Sequence, residues 1–331
     1  MIKELVLSVC VCICQVGVWA QAQNKPVAVI FDTDMGPDYD DVGAITLLHS
    51  FADSGKAKIL ATIASTNYEG VAAVLSTLNT YFNRPNLPVG VPKGNAVGLK
   101  DQQHWTDTLK AKYPHRINQN DETQGALELY RKLLSEQPDT SVVIVTVGFL
   151  TNIAELLKSK PDTYSPLSGN ELVKRKVKKL VSMAGKFPDG KEFNIVEDAA
   201  AAKYAFANFP RPIILSGFEI GEKIKTGVPL INNDSIVNSP IKDVFRISMN
   251  MEEGDKNGRM SWDQTAVLVA INGHEPHYSL EYGKIAVSDD GANTWSTAGS
   301  GQARLIAKSS PSVVEGIINR MMMHQPVSSG K

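Results

Sequence analysis

The most informative part of the sequence is Val27-Ala-Val-Ile-Phe31, continued by Asp32-Thr-Asp34-Met-Gly-Pro-Asp38-Tyr-Asp40-Asp41. Its apolar first half predicts a buried strand, and the Gly-Pro pair that follows predicts a turn. The helical apolar spacing of residues 42–51 predicts a helix that begins at the last two aspartates, where carboxylates suit the positive end of the helix dipole. Five aspartates fall within these ten residues. Because they would raise one another's pKa, a hard cation with oxygen ligands is the simplest way to hold them ionised.

The composition excludes several classes of protein. The 331 residues are 43% hydrophobic and 21% charged, which is typical of a globular chain of one large domain or two small ones. The formal net charge of −1 gives no reason to expect a nucleic-acid polymer or an acidic membrane as partner. We therefore expect a small-molecule substrate.

The first 22 residues are expected to be a secretory signal peptide. Lys3 gives a positive start, residues 5–19 are mostly apolar, and Ala20-Gln-Ala22 offers a small-residue cleavage site. A membrane anchor is the alternative, but about 15 apolar residues are few for a bilayer span. All three cysteines lie in this segment, so the rest of the chain uses no thiol chemistry, and lipidation of Cys14 stays open. We expect a secreted or periplasmic protein in which residues 23–331 form a single domain.

Strand and helix patterns alternate along the rest of the chain. Strands are predicted at 27–31, 58–65, 87–91, 141–147, 178–184 and 211–216, and helices at 42–51, 70–82, 122–136, 198–206 and 310–323. This alternation predicts an α/β fold with a mainly parallel central sheet flanked by helices and a Rossmann-like core. Sites in such sheets form beyond the carboxyl ends of the strands, where the Asp32 cluster and Val147-Gly148 would meet. Residues 94–120 are predicted to be a long irregular loop, which is often functional.

Taken alone, the Asp32-x-Asp34 pair is compatible with three kinds of site. A haloacid-dehalogenase-type phosphatase would need Thr or Val where Gly36 stands. An EF-hand calcium loop fails because Gly36 and Gly43 occupy ligand positions. A metal-dependent hydrolase that also uses the Asp40-Asp41 pair is the third possibility.

Four motifs together resemble the inosine–uridine-preferring nucleoside hydrolases. They are the opening Asp32-Thr-Asp34-Met-Gly with Asp40-Asp41, then Val145-Thr-Val-Gly-Phe-Leu-Thr-Asn152, Glu192-Phe-Asn194-Ile-Val-Glu-Asp198-Ala-Ala200, and Trp262-Asp263-Gln-Thr-Ala-Val267. Four motifs in the family's order are much more specific than any one, and the resemblance extends over roughly residues 27–323. It implies a nucleoside hydrolase-like fold and a Ca²⁺-dependent ribonucleoside N-glycosidase that releases a free base and ribose.

The resemblance also implies a metal site. Side chains of Asp34, Asp41 and Asp263 would bind the Ca²⁺, and the carbonyl of Val147 would be a further ligand. Asp32 would lie beside them, as support for the ligands or as a ribose contact. Asp34 would in addition be the general base for a Ca²⁺-bound water.

Other polar residues of the motifs receive expected roles in the same way. Asn67, Glu192 and Asn194 would hold ribose hydroxyls. Asp38 is expected to be a plain loop residue. Helix capping is expected for Asp40 and Asp198, and Asn152 is either a helix-start residue or a site residue.

Trp262 stands where many members of the family have a histidine that is proposed to protonate the leaving base. Tryptophan cannot donate that proton, and its presence resembles the purine-specific branch, in which aromatic residues sandwich the base. Trp105 in the long loop is the candidate second aromatic residue, with a core or surface role as the alternative. His104 and His115 are the nearest candidates for an acid, although each is more often an exposed loop residue. We therefore expect a preference for purine nucleosides.

Two other functions stay open at this point. The first is a nucleoside- or sugar-binding protein that keeps the metal site without efficient catalysis, which the Trp262 replacement motivates. The second is a hydrolase of the same fold that acts on another N- or O-glycoside. Family members are often homodimers or homotetramers, so a homo-oligomer is expected, but no stretch of the sequence indicates an interface.

Overall fold

The computed structural model describes residues 25–327 of the chain. The expected signal peptide, residues 1–22, lies outside the described residues, so that expectation and the location outside the cytoplasm stay predictions. Within residues 25–327, no helix has both the length and the apolar character that a membrane span requires.

The described residues form thirteen strands and thirteen α-helices; the six predicted strands and five predicted helices are all among them, and most of the other elements were not predicted. The strands are β1 (Val27–Thr33), β2 (Ala57–Ala64), β3 (Val89–Val91), β4 (Gln124–Gly125), β5 (Val142–Thr146), β6 (Val177–Met183), β7 (Asp189–Lys191), β8 (Ile213–Ser216), β9 (Lys225–Thr226), β10 (Arg259–Met260), β11 (Tyr278–Val287), β12 (Ala292–Ser296) and β13 (Gln302–Ala307). The helices are α1 (Asp40–Asp53), α2 (Val71–Tyr81), α3 (Trp105–Lys112), α4 (Ala126–Glu136), α5 (Thr151–Lys158), α6 (Gly169–Lys176), α7 (Phe193–Glu197), α8 (Ala199–Asn208), α9 (Phe218–Gly221), α10 (Val228–Ile231), α11 (Pro240–Met251), α12 (Trp262–Asn272) and α13 (Pro311–Met322).

Within residues 25–327, eleven strands form one sheet in the order β4-β3-β2-β1-β5-β6-β8-β13-β11-β12-β7. Neighbouring strands are parallel from β4 through β13, and the last three pairings are antiparallel. The predicted α/β fold with a mainly parallel central sheet flanked by helices is therefore confirmed. The short strands β9 and β10 pair with each other in a separate antiparallel ribbon.

Strand β1 is buried on both of its faces. Val29 and Phe31 belong to one apolar core, together with residues of α1 and α12, and Ile30 belongs to the opposite core, together with residues of α4 and α5. All three side chains are fully buried. Since successive side chains of a strand point to opposite faces, a sheet with helices on both faces requires the continuous apolar run that precedes Asp32.

The connections of β1 place a crevice at its carboxyl end. The chain runs outward from β1 through β2, β3 and β4, and then returns to β5 on the other side of β1. The connections that leave β1 and β5 therefore diverge to opposite sides, which opens a gap beyond the strand ends. The Val147 N–H donates to the Asp32 carbonyl at 2.9 Å, so the two strand ends stay joined at this point.

The prediction of an irregular loop over residues 94–120 is wrong in part. Residues 105–112 form the helix α3, which begins after His104 in the left-handed conformation with φ of 58°. Only Trp105, Thr106 and Leu109 of this helix are buried, so it has too few apolar residues to show helical periodicity in the sequence.

Candidate active site

Five acidic side chains lie near the carboxyl edge of β1, and among them Asp38, Asp40 and Asp263 bring carboxylate atoms within 4.8 Å of one another. Asp34 directly follows β1, while Asp41 and Asp263 lie in the first turns of α1 and α12. Each of these last three is at most 4% exposed. Asp34 and Asp263 line an open cavity, whose other walls include Asp38, Asp40, Val147, Glu192, Asn194, Phe218 and Trp262. The sequence predicted most of these residues, and the fold brings them together.

Gly148 allows the end of β5 to press against Asp34. A Cβ atom at this position would lie 2.3 Å from the Asp34 nitrogen, 2.7 Å from the Asp34 Cβ and 2.6 Å from the Ser65 Oγ. The Asp34 nitrogen is a backbone atom and the Asp34 Cβ is bonded to the backbone, so neither can move aside without shifting Asp34. The glycine of the second motif is thus required by the close approach of two strand ends.

Two carboxylate oxygens in this region are buried without a hydrogen-bond partner. The Thr33 hydroxyl donates to Oδ1 of Asp41, and Oδ2 of Asp41 has no partner. Tyr130 and Asn152 donate to Oδ2 of Asp32 at 2.8 and 3.1 Å, and Oδ1 of Asp32 has none. A buried unpaired carboxylate oxygen is costly, and a bound cation would satisfy it.

Burial and mutual repulsion weaken the acidity of these aspartates. The pKa values of Asp34, Asp41 and Asp263 lie well above the ordinary range, first because of burial and then because of neighbouring carboxylates. Burial also raises the pKa of Asp32 to about 7, against the hydrogen bonds from Tyr130 and Asn152 that lower it. The donor set consists of hard oxygen atoms, which is the chemistry that fits Ca²⁺ or a similar cation.

Asp40 caps a helix, but not the helix that contains it. Its Oδ2 accepts hydrogen bonds from the backbone N–H groups of Trp262 at 3.2 Å and Asp263 at 3.4 Å, at the start of α12. Its Oδ1 accepts two hydrogen bonds from Arg259, at 3.0 and 3.1 Å. Since both oxygens are engaged, Asp40 is less suited to bind a cation than Asp41, whose Oδ2 is free.

Asp38 is more than the loop residue that the sequence predicted. It lines the cavity, and its carboxylate lies within 4.8 Å of those of Asp40 and Asp263. Arg259 contacts it at 2.9 Å. The sequence contains no signal for Arg259 or for this role of Asp38, because the contact joins segments that are far apart in the chain.

Glu192 and Asn194 face the cavity from the start of α7. The Glu192 side chain accepts from the N–H groups of Asn194 at 2.8 Å and Gly185 at 3.2 Å, so it also caps the helix. The Asn194 side-chain amide donates to the Val147 carbonyl at 3.1 Å. Burial raises the pKa of Glu192 to about 7, although these N–H donors oppose the increase.

Trp262 forms an aromatic wall of the cavity together with Phe218. The two ring centroids are 5.2 Å apart, and the indole N–H donates to the Phe218 carbonyl at 2.8 Å. Sequence reasoning missed Phe218, which lies in the four-residue helix α9 and in none of the four motifs.

Trp105, expected as the second aromatic residue of the site, is not on the cavity wall. It is fully buried in the core at the start of α3, so it has no face available to a ligand. Asn67, expected to hold ribose, is half-buried at the end of β2 and also lies off the cavity wall. Its backbone N–H donates to the Val97 carbonyl at 3.1 Å, so Asn67 is held against the 97–98 segment and not at the cavity.

The remaining expectations concern histidines and helix ends. All six histidines fall within the described residues and none lines the cavity; the His104 side chain is 76% exposed and His115 contacts the Tyr113 carbonyl. The predicted cap of α8 is confirmed, because Asp198 accepts from the Ala201 N–H at 3.2 Å. Asn152 lies in the first turn of α5, as expected for a helix-start residue; its side-chain amide donates to Asp32 at 3.1 Å, and it does not line the cavity.

Comparison with known proteins agrees with this arrangement. The family model described as inosine-uridine preferring nucleoside hydrolase matches residues 29–312. A pyrimidine-specific ribonucleoside hydrolase, RihA of Citrobacter koseri, is 27% identical over 204 residues, which cover 59% of this chain and 61% of that protein. The matched part is thus a little under two thirds of that relative's length.

Solved structures share the fold. The inosine-guanosine nucleoside hydrolase IG-NH superposes with a TM-score of 0.69 at 20% identity, over 91% of this chain and 99% of that chain. A plant nucleoside hydrolase, PpNRh1, superposes with a TM-score of 0.68 at 20% identity, over 90% and 99% of the two chains. At this identity the likeness establishes the fold alone.

The contact at Gly148 predicts the effect of a single methyl group. We expect Gly148→Ala to displace Asp34 and weaken metal-ion binding at the acidic cluster by about 10- to 100-fold, the usual effect of disturbing the support of a metal ligand. Gly94→Ala is the matched control, because a Cβ there meets nothing within 4 Å. Isothermal titration of metal-free protein with Ca²⁺ measures both variants, and equal affinities would show that Gly148 does not position Asp34.

Proposed function

This chain belongs to the inosine-uridine preferring nucleoside hydrolase family, whose enzymes act on N-glycosyl compounds. From that premise we propose that it hydrolyses the N-glycosidic bond of ribonucleosides to a free base and ribose, with Ca²⁺ as cofactor and Asp34 as general base. The observation that carries the proposal is a buried acidic cluster: Asp34 and Asp263 line the cavity, and Asp41 lies close to both, off the cavity wall, with its Oδ2 unpaired.

The residues present fit the proposed cation. Asp34, Asp41 and Asp263 would hold it through side chains, and the carbonyl of Val147, which lines the cavity, has a lone pair left beside its hydrogen bond from Asn194. When bound, Ca²⁺ supplies a Lewis acid that lowers the pKa of a water molecule and orients sugar hydroxyls. It would also return the raised pKa values of these carboxyls toward their ordinary range.

Asp34 is the proposed general base because its carboxylate lies on the cavity wall, beside the place where the proposed cation would hold the attacking water. As an ionised carboxylate, it would take the proton from the attacking water. The cleavage passes through a sugar with oxocarbenium character, and the negative charge of Asp38 and Asp263 on the same cavity favours that developing positive charge.

Glu192 and Asn194 are the proposed ribose-binding residues. Both line the cavity, and each has its backbone or side chain fixed by hydrogen bonds around the start of α7. Preorganised polar groups orient the sugar without losing conformational freedom at the moment of binding. Hydrogen bonds from Tyr130 and Asn152 hold Asp32 in place, and we propose that Asp32 supports the metal ligands.

Two observations support purine nucleosides as the preferred substrates. Trp262 and Phe218 offer a broad aromatic surface to a base, and none of the six histidines lines the cavity to protonate a leaving pyrimidine. The name of the Citrobacter relative, a pyrimidine-specific enzyme, favours the other class of base. The rates of cleavage of purine and pyrimidine nucleosides therefore have to be compared to establish which base is preferred.

We also propose that the protein acts outside the cytoplasm, and that it is a homodimer or homotetramer. The pattern of residues 1–22 supports the first proposal. Membership of a family whose members often form dimers or tetramers supports the second. Sedimentation of the protein that lacks residues 1–22 measures the oligomeric state directly.

Release of reducing sugar from a panel of purine and pyrimidine nucleosides tests the proposed reaction. We expect release with Ca²⁺, fastest from purine nucleosides, and loss of activity after EDTA treatment that added Ca²⁺ restores. If no nucleoside is cleaved while Ca²⁺ still binds, the protein is a binding protein or acts on another glycoside. Release that EDTA does not affect would exclude the metal-dependent reaction.

Asp34→Asn removes the proposed base and keeps the size of the side chain. We expect kcat to fall by about two to four orders of magnitude, the range for loss of a general base. Asp198→Asn is the control, because Asp198 caps a helix away from the cavity wall. Near-wild-type turnover of a folded Asp34→Asn protein would remove Asp34 from this role.

Trp262→Ala separates binding of the base from cleavage of the sugar bond. We expect a larger loss of kcat/KM on inosine than on nitrophenyl riboside, because the nitrophenyl leaving group needs no activation. Trp295→Ala is the matched control, since Trp295 packs on Phe187 and does not line the cavity. Equal losses on the two substrates would argue against a role of Trp262 at the base.

A further inference from the structure

Arg259 of β10, which no step of the proposed reaction uses, faces three carboxylates. Its Nη2 lies 2.9 Å from Oδ2 of Asp38 and 3.0 Å from Oδ1 of Asp40, and its Nη1 lies 3.6 Å from Oδ2 of Asp255. The side chain is only 13% exposed. An ion pair this far from solvent is screened little, so its geometry is held firmly.

The same guanidinium also lies over two aromatic rings. Its Cζ is 5.0 Å from the ring centroid of Tyr39 and 5.1 Å from that of Trp262. Tyr39 is fixed in turn, because its hydroxyl donates to Oδ2 of Asp255 at 2.6 Å. A planar guanidinium can stack on rings and bind carboxylates at its edge at the same time, which a lysine ammonium cannot do.

These contacts join two segments that both line the cavity, Asp38–Asp40 and Trp262–Asp263. Asp40 accepts from Arg259 through Oδ1 and from the N–H groups of Trp262 and Asp263 through Oδ2. The start of α1 and the start of α12 are therefore tied through one carboxylate and one guanidinium. Any tilt of Arg259 would move the Trp262 ring relative to the acidic side chains.

We propose that Arg259 is a positioning residue that holds the Trp262 ring and the Asp38–Asp40 carboxylates as one rigid unit, and so sets the orientation of the base relative to the sugar. This inference rests on the proposed hydrolysis of nucleosides and deepens it. Arg259 acts through its neighbours, since it does not itself line the cavity.

A simpler role for Arg259 would be neutralisation of the surrounding acids, and the two roles predict opposite results. If Arg259 acted only as a charge, its removal would leave the cavity more negative, and Ca²⁺ would bind more tightly. If it positions the start of α12, its removal lets Asp263 move, and Ca²⁺ binds more weakly.

The experiment compares Arg259→Met and Arg259→Lys with Arg304→Met. Arg304 is a matched control: its side chain is 15% exposed, it pairs with Glu281 at 2.7 Å, and it stacks on Phe187 at 5.5 Å, off the cavity wall. Arg259→Lys retains a cation beside Asp40, so it serves if Arg259→Met does not fold. Urea unfolding of all three establishes which variants are folded.

For Arg259→Met we expect kcat/KM on inosine to fall by about 100-fold, the scale of a 1 Å misplacement, and to fall less on nitrophenyl riboside. Its affinity for Ca²⁺ should also fall. Arg259→Lys should recover the Ca²⁺ affinity in part and the activity on inosine only slightly, because it restores the charge without the planar fork. Arg304→Met should match the wild type in all three measurements.

The proposal is overturned if Arg259→Met binds Ca²⁺ as tightly as the wild type or more tightly, or if its losses on the two substrates are equal. If the wild type cleaves no nucleoside, the proposed function has failed by itself, and positioning is then judged by the Ca²⁺ titration and by near-ultraviolet circular dichroism. The contribution of Trp262 to the spectrum is obtained by subtracting the spectrum of Trp262→Phe from that of the wild type. A change of this contribution in Arg259→Lys supports the positioning role. An unchanged contribution contradicts it.

Discussion

Mutual repulsion among the buried aspartates at the carboxyl end of β1 explains most of the hydrogen bonds that surround the site. Burial alone raises their pKa values, and each neighbouring carboxylate raises them further. The fold answers with fixed donors: the Thr33 hydroxyl for Asp41, the hydroxyl and amide groups of Tyr130 and Asn152 for Asp32, and the positive ends of α1 and α12. These donors leave Oδ2 of Asp41 and Oδ1 of Asp32 without a partner, and a cation could bind beside such oxygens.

The aspartates consequently divide into two groups. Asp40 uses both oxygens for structure, since it caps α12 and binds Arg259. Asp41 keeps one oxygen without any partner. The difference follows from position on one helical turn: Asp40 and Asp41 are adjacent in sequence, so their side chains point about 100° apart around α1, one toward Arg259 and the other toward β1.

The acidic cluster and the aromatic wall are mechanically linked, because Trp262 and Asp263 are consecutive residues at the start of α12. Asp40 holds the backbone of both, and the Phe218 carbonyl fixes the indole. In the proposed reaction the sugar meets the acids while the base meets Trp262. A shift of α12 would therefore disturb both contacts together. The Asp40 carboxylate, which caps the start of α12, thus supports both.

The β1–turn–α1 unit, the parallel α/β fold and most of the site could be predicted from the sequence, because hydrophobic period, turn residues and strand-end motifs are local signals. The carboxyl edge of the sheet then brings the strand-end motifs together. Asp34, Asp263, Glu192 and Asn194 reach the cavity for this reason. The burial of Trp105, the role of Phe218, and the contact of Arg259 with Asp40 across 219 residues are visible only in the folded chain. Such contacts depend on how distant segments pack, and side-chain packing at that range leaves no periodic trace in the chain.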